Sequence, residues 1–129
     1  LLHRDQWRVI VSYGHPLAGR DPFPLEALST EPFIFLQEGD DYEIQAVLDS
    51  LQVRPNIQYI LRDDLSILAM VSNGLGISIL PELILRRIPY RIVTRPLDVP
   101  AYRDIALALR DKETASLAVK RFLDYLKFR

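Results

Sequence analysis

"SILAMVSNGLGISILPE", residues 66–82, decides how this chain is read. Gly74 and Gly76 interrupt an apolar run, and such a pair either cradles a phosphate or shapes the backbone. A phosphate or dinucleotide loop needs the order strand, glycines, helix, because the anion sits on the free N–H groups and positive dipole end of a helix N-terminus. Here the order is reversed: a helical segment comes first, the glycines second and a strand third. The stretch also lacks the Lys-Ser/Thr ending of a phosphate loop. Gly74 is therefore expected as a left-handed C-terminal helix cap, a conformation cheap only for Gly. Gly76 is expected to permit close backbone passage into a strand beginning at Ile77, and Pro81 to mark that strand's end. The glycines are architecture.

Working outward, Asp63 or Asp64 can cap the helix over Leu65–Asn73. That helix is apolar on nearly every face, which predicts burial. Before it, Asn56–Leu61 reads as a strand. Ile44, Val47, Leu48 and Leu51 keep the i, i+3, i+4, i+7 spacing of an amphipathic helix. Asp40 and Glu43 stand ahead of that helix like a capping box, and "VRP" ends it. Phe33–Leu36 is continuously apolar, the mark of a strand covered on both faces, and one short helical turn precedes it in "PLEAL". The first strand is expected around Arg8–Tyr13, with "GHPLAG" as the turn after it. After Ile77–Leu80 come a strand over Ile88–Thr94, with Pro89 arguing for an edge, a linker "RPLDVPAY", and a strand over Asp104–Leu109. Ala115, Ala118, Val119, Phe122, Leu123 and Leu126 then form the stripe of a final helix. Strands alternating with helices predict the α/β class, with a mainly parallel sheet and flanking helices.

The 129 residues suit one domain or a compact piece of a larger one. A net charge of −1 supplies no general attraction to nucleic acid or an anionic membrane. The absence of cysteine excludes a disulfide framework and thiolate metal sites, and fits a reducing compartment. Apolar runs such as Ile67–Val71 are far too short to span a bilayer. The chain begins at Leu1 rather than Met, so we expect it to be part of a longer protein.

Four stretches in order, "HPLA", "PFIFLQEGDDYEI", "DDLSILAMVSNGLGISILPE" and "RDIALALR", resemble the effector-binding domain of LysR-type transcriptional regulators. The helix–"GLGI"–strand–Pro arrangement is the most specific of them. The resemblance implies a type 2 periplasmic-binding-protein-like fold, two α/β lobes around a ligand cleft. Residues 6–95 would form lobe II, residues 96–102 a crossover, and residues 103–129 the last strand and helix of lobe I. The rest of lobe I and the DNA-reading helix-turn-helix would lie outside this chain. The family further implies a small-molecule effector, a cytoplasmic homodimer or homotetramer, no membrane association, no metal and no cofactor. A solute-binding protein of a transport system with the same fold is the alternative. An enzyme on this fold is disfavoured, because there is no GxSxG motif and no cysteine nucleophile.

Two loops are candidate ligand walls. Gln37, Glu38, Gly39, Asp40, Asp41 and Tyr42 follow a strand and lead into a helix, the position where open parallel sheets bind ligands. Asp63, Asp64, Leu65 and Ser66 repeat the arrangement one βα unit later. Helix capping alone also accounts for most of these acids. Their spacing matches no metal loop, and no acid–base pair stands out among them. Residues 37–64 hold seven acids and two bases, net −5. Carboxylates thus already compete for the helix N-termini that would welcome an anion. A neutral, polyol-like or amine-bearing effector is expected over a simple dianion. Arg86, Arg87, Arg91 and Arg95 form a loose basic stretch with only Tyr90 to stack, better read as a solvated edge or an interface than as a nucleic-acid patch. His15 reads as a turn residue, and His3 lies near the chain's start.

Overall fold

The structure, a computed structural model, describes residues 3–37, 43–86 and 88–105. In chain order these form β1 (His3–Ser12), α1 (Ala27–Thr30), β2 (Phe33–Leu36), α2 (Glu43–Ser50), β3 (Ile57–Leu61), α3 (Asp64–Ser72), β4 (Ser78–Pro81), β5 (Ile92–Pro96) and β6 (Tyr102–Ile105). Two units are distinguished: residues 5–103, and residues 1–4 with 104–129. Apart from residues 3–4 of β1 and 104–105 of β6, every described residue belongs to the first.

β1 is the hub of a four-stranded sheet. β4 pairs with it antiparallel, with Trp7 opposite Pro81 and Ile10 opposite Ser78. β5 also pairs with it antiparallel, with Arg8 opposite Pro96 and Ser12 opposite Ile92, and β6 joins β1 as well. Val9, Ile10 and Val11 are completely buried. The second sheet is the parallel pair β2–β3. On its other side β2 bonds the segment entering β4: Ile34 N–H donates to Ile77 C=O and Ile77 N–H to Pro32 C=O, both at 2.8 Å. Ser78 is buried, and its hydroxyl donates to Ile34 C=O at 2.6 Å. This bond joins β4 to β2 and satisfies a polar group that would otherwise be costly there.

The α/β architecture agrees with the sequence reading, but the expected mainly parallel sheet is corrected. β2 and β3 pair in parallel, as do the isolated bridges Phe23–Leu97 and Phe33–Ile77, whereas β1 pairs antiparallel with both β4 and β5. The βα rule governs strands joined by a helix, and it holds for β2, α2 and β3. β1 instead gathers partners from distant parts of the chain. It also begins at His3, well before the expected Arg8. β5 starts at Ile92, so Pro89 lies outside it, and half of the expected linker is in strand or bridge. Arg95 and Pro96 end β5, Leu97 is buried and bridges Phe23, and Tyr102 begins β6. The part of the next expected strand beyond Ile105, and the terminal helix, lie outside the described residues.

α3 shows why the stretch around the glycines folds as it does. Its C-cap is Asn73, and Gly74 follows with φ +77°. Gly74 N–H donates to Val71 C=O at 2.9 Å and Leu75 N–H to Met70 C=O at 3.1 Å, the bond pair of a Schellman motif. A Cβ on Gly76 would stand 2.8 Å from the Pro32 carbonyl oxygen and 3.1 Å from Ile34 Cγ1. Only a glycine lets this backbone pass so close to β2. Pro81 is the last residue of β4. The expectation that α3 would be buried all round is corrected: Ile67, Leu68 and Val71 are buried, but Leu65 is 60% exposed.

Candidate functional site

The parallel register of β2 and β3 sets the site. Leu36 is the partner of Leu61, and Gln37 N–H donates to Leu61 C=O at 2.8 Å. Gln37 and Arg62 therefore leave the two strands side by side, and α3 follows directly after β3. Ile44 and Leu48 anchor α2 in the core, while Ile67, Leu68 and Val71 anchor α3.

Of the predicted first loop only Gln37 is described; Glu38, Gly39, Asp40, Asp41 and Tyr42 lie outside the described residues, as does the proposed Asp40–Glu43 box. In the second loop Asp63 is the N-cap of α3, and its Oδ2 accepts from Ser66 N–H at 3.0 Å. The Ser66 hydroxyl and then the Ser66 backbone N–H hold the Asp63 carboxyl below its ordinary pKa of 3.8. Asp64 is the first helical residue and places a second carboxylate at the same helix end. Leu65 projects outward. An anionic group approaching α3 would meet carboxylates and an N–H already bonded.

A polar cluster not foreseen from sequence lies between β1, β6 and the start of α2. Asp5 on β1 is a buried carboxylate, 1% exposed. Its Oδ1 accepts from Leu83 N–H at 3.0 Å, and its Oδ2 accepts from Arg103 Nε at 3.2 Å. Arg103 Nη1 lies 3.8 Å from Glu43 Oε2 at the start of α2, and the guanidinium stacks 5.9 Å from the Trp7 ring centroid. Arg103 thus joins β1, β6 and α2. Trp7 N–H is held by Ala101 C=O at 2.9 Å. A cavity of about 30 Å³ opens here, lined by Trp7, Leu36, Glu43, Ile44, Pro81, Ile84 and Arg103. The one available sequence signal was the acid of "HRDQW" within a strand-like run.

Other singled-out residues have local partners. His15 Nδ1 accepts from Leu17 N–H at 3.0 Å inside the turn, and Nε2 faces Glu31 at 3.6 Å. Arg91 stacks on Tyr13, and Arg95 donates to the Ala18 and Thr94 carbonyls. Arg87 lies outside the described residues. Among the described residues no group of three or more His, Cys, Asp or Glu could hold a metal ion, and no helix is long and apolar enough to cross a membrane.

A parallel β2–β3 pair followed by helices, beside a sheet built on an antiparallel hub strand, is an α/β fold of the binding-protein-like class. The chain belongs to the LysR substrate binding domain family, whose description matches residues 1–129, and it is the effector-binding domain of a LysR-type transcriptional regulator. The uncharacterized HTH-type transcriptional regulator YvbU of Bacillus subtilis is 30% identical over 98% of this chain and 44% of its own length. This chain therefore spans less than half of that relative. Among solved structures, the effector-binding domain of QuiR in complex with shikimate is 25% identical with a TM-score of 0.76, over 97% of this chain and 61% of that one. The regulatory domain of CcmR from Synechocystis PCC6803, in complex with 2-PG, is 24% identical with a TM-score of 0.72, over 97% of this chain and 62% of that one.

Proposed function

We propose that this domain binds a small hydroxylated or amine-bearing effector at the adjacent ends of β2 and β3, and that binding shifts the regulator between two states of different DNA affinity. The observation that supports this is the Leu36–Leu61 pairing, with Gln37 N–H bonded to Leu61 C=O, which sets the start of the first candidate segment beside residues 62–66. In this reading residues 6–95 are lobe II, residues 96–102 cross over, and residues 103–129 return to lobe I. The ligand-contacting residues are Gln37, Glu38, Gly39, Asp40, Asp41 and Tyr42 with Asp63, Asp64, Leu65 and Ser66. No reaction is catalysed. DNA is contacted by a helix-turn-helix outside this chain, and the regulator works in the cytoplasm as a homodimer or homotetramer. The effector acts only through its differential affinity for the two states. Shikimate in QuiR, a hydroxylated monocarboxylate, is closer to the expected chemistry than a dianion. The carboxylates at the start of α3 support the same preference.

A thermal-shift screen of the full-length regulator against a metabolite library tests this. A ligand at a hundredfold its Kd adds about 2.7 kcal/mol of stability by mass action. The expected result is a hydroxylated or cationic hit that Asp41→Asn together with Asp64→Asn abolishes. A tight dicarboxylate hit that depends on residues 37–42 contradicts the proposed effector chemistry, and a hit insensitive to both substitutions contradicts the proposed site.

A further inference from the structure

A second, larger recess lies away from the two loops. It is an open groove of about 610 Å³, bounded by the end of β1 and the turn after it (residues 12–16), by the C-terminal end of α3 (residues 72–74) and by Arg91. That volume lies within the range of small-molecule sites, about 300–1,000 Å³. α3 has nine residues, so about 13 Å of helix separates this groove from the Asp63 cap at the other end. The β1–β5 ladder stops at Ser12–Ile92, which leaves Tyr13 and Arg91 as the next residues of the two chain segments. There the Arg91 guanidinium sits over the Tyr13 ring, 5.2 Å from its centroid. Tyr13 is 56% exposed, and among the described residues Arg91 has no carboxylate or carbonyl partner. Stacking engages the charge of a guanidinium and leaves its N–H donors for another group.

We propose that this groove is a second ligand site, which takes a small organic molecule by an oxyanion head, a phosphate or a carboxylate, held by Arg91. Charge selects the class. The residues that bound the groove include one arginine, one histidine and no acid, whereas residues 37–64 carry net −5. His15 adds no competing acceptor, because its Nδ1 already accepts from Leu17 N–H. Glu31 faces His15 Nε2 at 3.6 Å and is not part of the groove's wall. The negative end of the α3 dipole opposes an anion, but it is blunted here. The Ala69, Met70 and Val71 carbonyls already accept from the N–H groups of Asn73, Leu75 and Gly74. Arg91 sets a full charge against that partial one. A guanidinium already seated on a ring loses less freedom on binding than a free one, and its planar fork matches two oxygens of one head group. The site stands apart from the effector reading, since it uses none of residues 37–66.

The test is isothermal titration calorimetry of the full-length regulator with glycerol 3-phosphate, lactate and glycerol, all at one fixed ionic strength. The expected result is saturable binding of at least one of the two anions and none of glycerol. Arg91→Gln weakens that anion by roughly tenfold in Kd, the loss of a charge-assisted hydrogen bond. Tyr13→Leu, which removes the ring under the guanidinium, weakens it by roughly threefold. Arg86→Gln, at an exposed arginine outside the groove, leaves it unchanged, as does Asp41→Asn together with Asp64→Asn. No binding of either anion, binding insensitive to Arg91→Gln or to Tyr13→Leu, or an equal loss in Arg86→Gln overturns the site. A loss on the paired aspartate substitutions but not on Arg91→Gln puts the anion at the ends of β2 and β3, which overturns both the groove and the expected effector chemistry. Anion binding that depends on Arg91, in a protein that no metabolite of the thermal screen stabilises through Asp41 and Asp64, supports the groove and counts against the effector reading.

Discussion

β1 and β3 look alike as short apolar strands, yet the molecule treats them differently. β1 has neighbours along both edges, and Val9, Ile10 and Val11 are inaccessible to solvent. β3 pairs only with β2 among the described strands, and Ile57, Tyr59 and Ile60 are exposed, Ile60 by 58%. Composition sets the tendency to be a strand; the order of strands in the sheet decides how much of that strand water still reaches. β1 is therefore expected to carry stability, and β3 to carry position: it holds Leu61 and the Asp63 cap beside the end of β2.

This contrast can be broken most directly by truncating one isoleucine on each strand. Ile10→Ala should cost about 2–5 kcal/mol, as buried truncations do. Ile60→Ala should stay within about 0.5 kcal/mol, as exposed changes do. Urea midpoints at unchanged slope measure both; equal costs would end the distinction. Next in size, Asp5→Ala should cost about 3 kcal/mol, the low end for breaking a buried ion pair, because the Arg103 side chain is 24% exposed and keeps some hydration. The same midpoint reads it, and the loss should shrink in Asp5→Asn, which still accepts from Leu83 N–H.

Gly76→Ala sharpens the comparison at the seam between the two sheets. Its Cβ would press on a backbone carbonyl rather than on a flexible side chain, so we expect a loss of about 1–3 kcal/mol. Gly74→Ala would strain a positive φ without any clash, which separates conformational cost from crowding.

The smallest effect belongs to Asp63. Its folded pKa lies below 3.8, so the unfolded chain takes up the proton first as pH falls. The stabilisation is present above pH 3.8 and is lost as pH drops through the depressed folded value. Asp63→Asn, which keeps the cap but not the charge, should remove that acid dependence and leave stability at neutral pH nearly unchanged. Comparing acid unfolding of the two proteins checks it.

How much of this was legible in the sequence follows from the range of each interaction. The Schellman cap at Gly74, the Asp63 cap and the burial of Phe33–Leu36 are settled within a few residues, and the residue pattern predicts them. The antiparallel ladders of β1 join Trp7 to Pro81 and Arg8 to Pro96, and nothing local in "HRDQWRV" records those partners. The Asp5–Arg103–Glu43 cluster was illegible for the same reason, since it is assembled from three distant elements. The exposure of β3 was hidden because "IQYIL" has the composition of a covered strand. The parallel pairing of β2 with β3 was legible once β2, α2 and β3 were recognised as a βα unit.

The most direct test of the account is amide hydrogen exchange on the full-length regulator with and without the metabolite that the thermal screen identifies. We predict that protection concentrates in residues 37–42 and 62–66. Protection that leaves both segments unchanged and appears elsewhere would contradict the claim that the paired ends of β2 and β3 form the effector site.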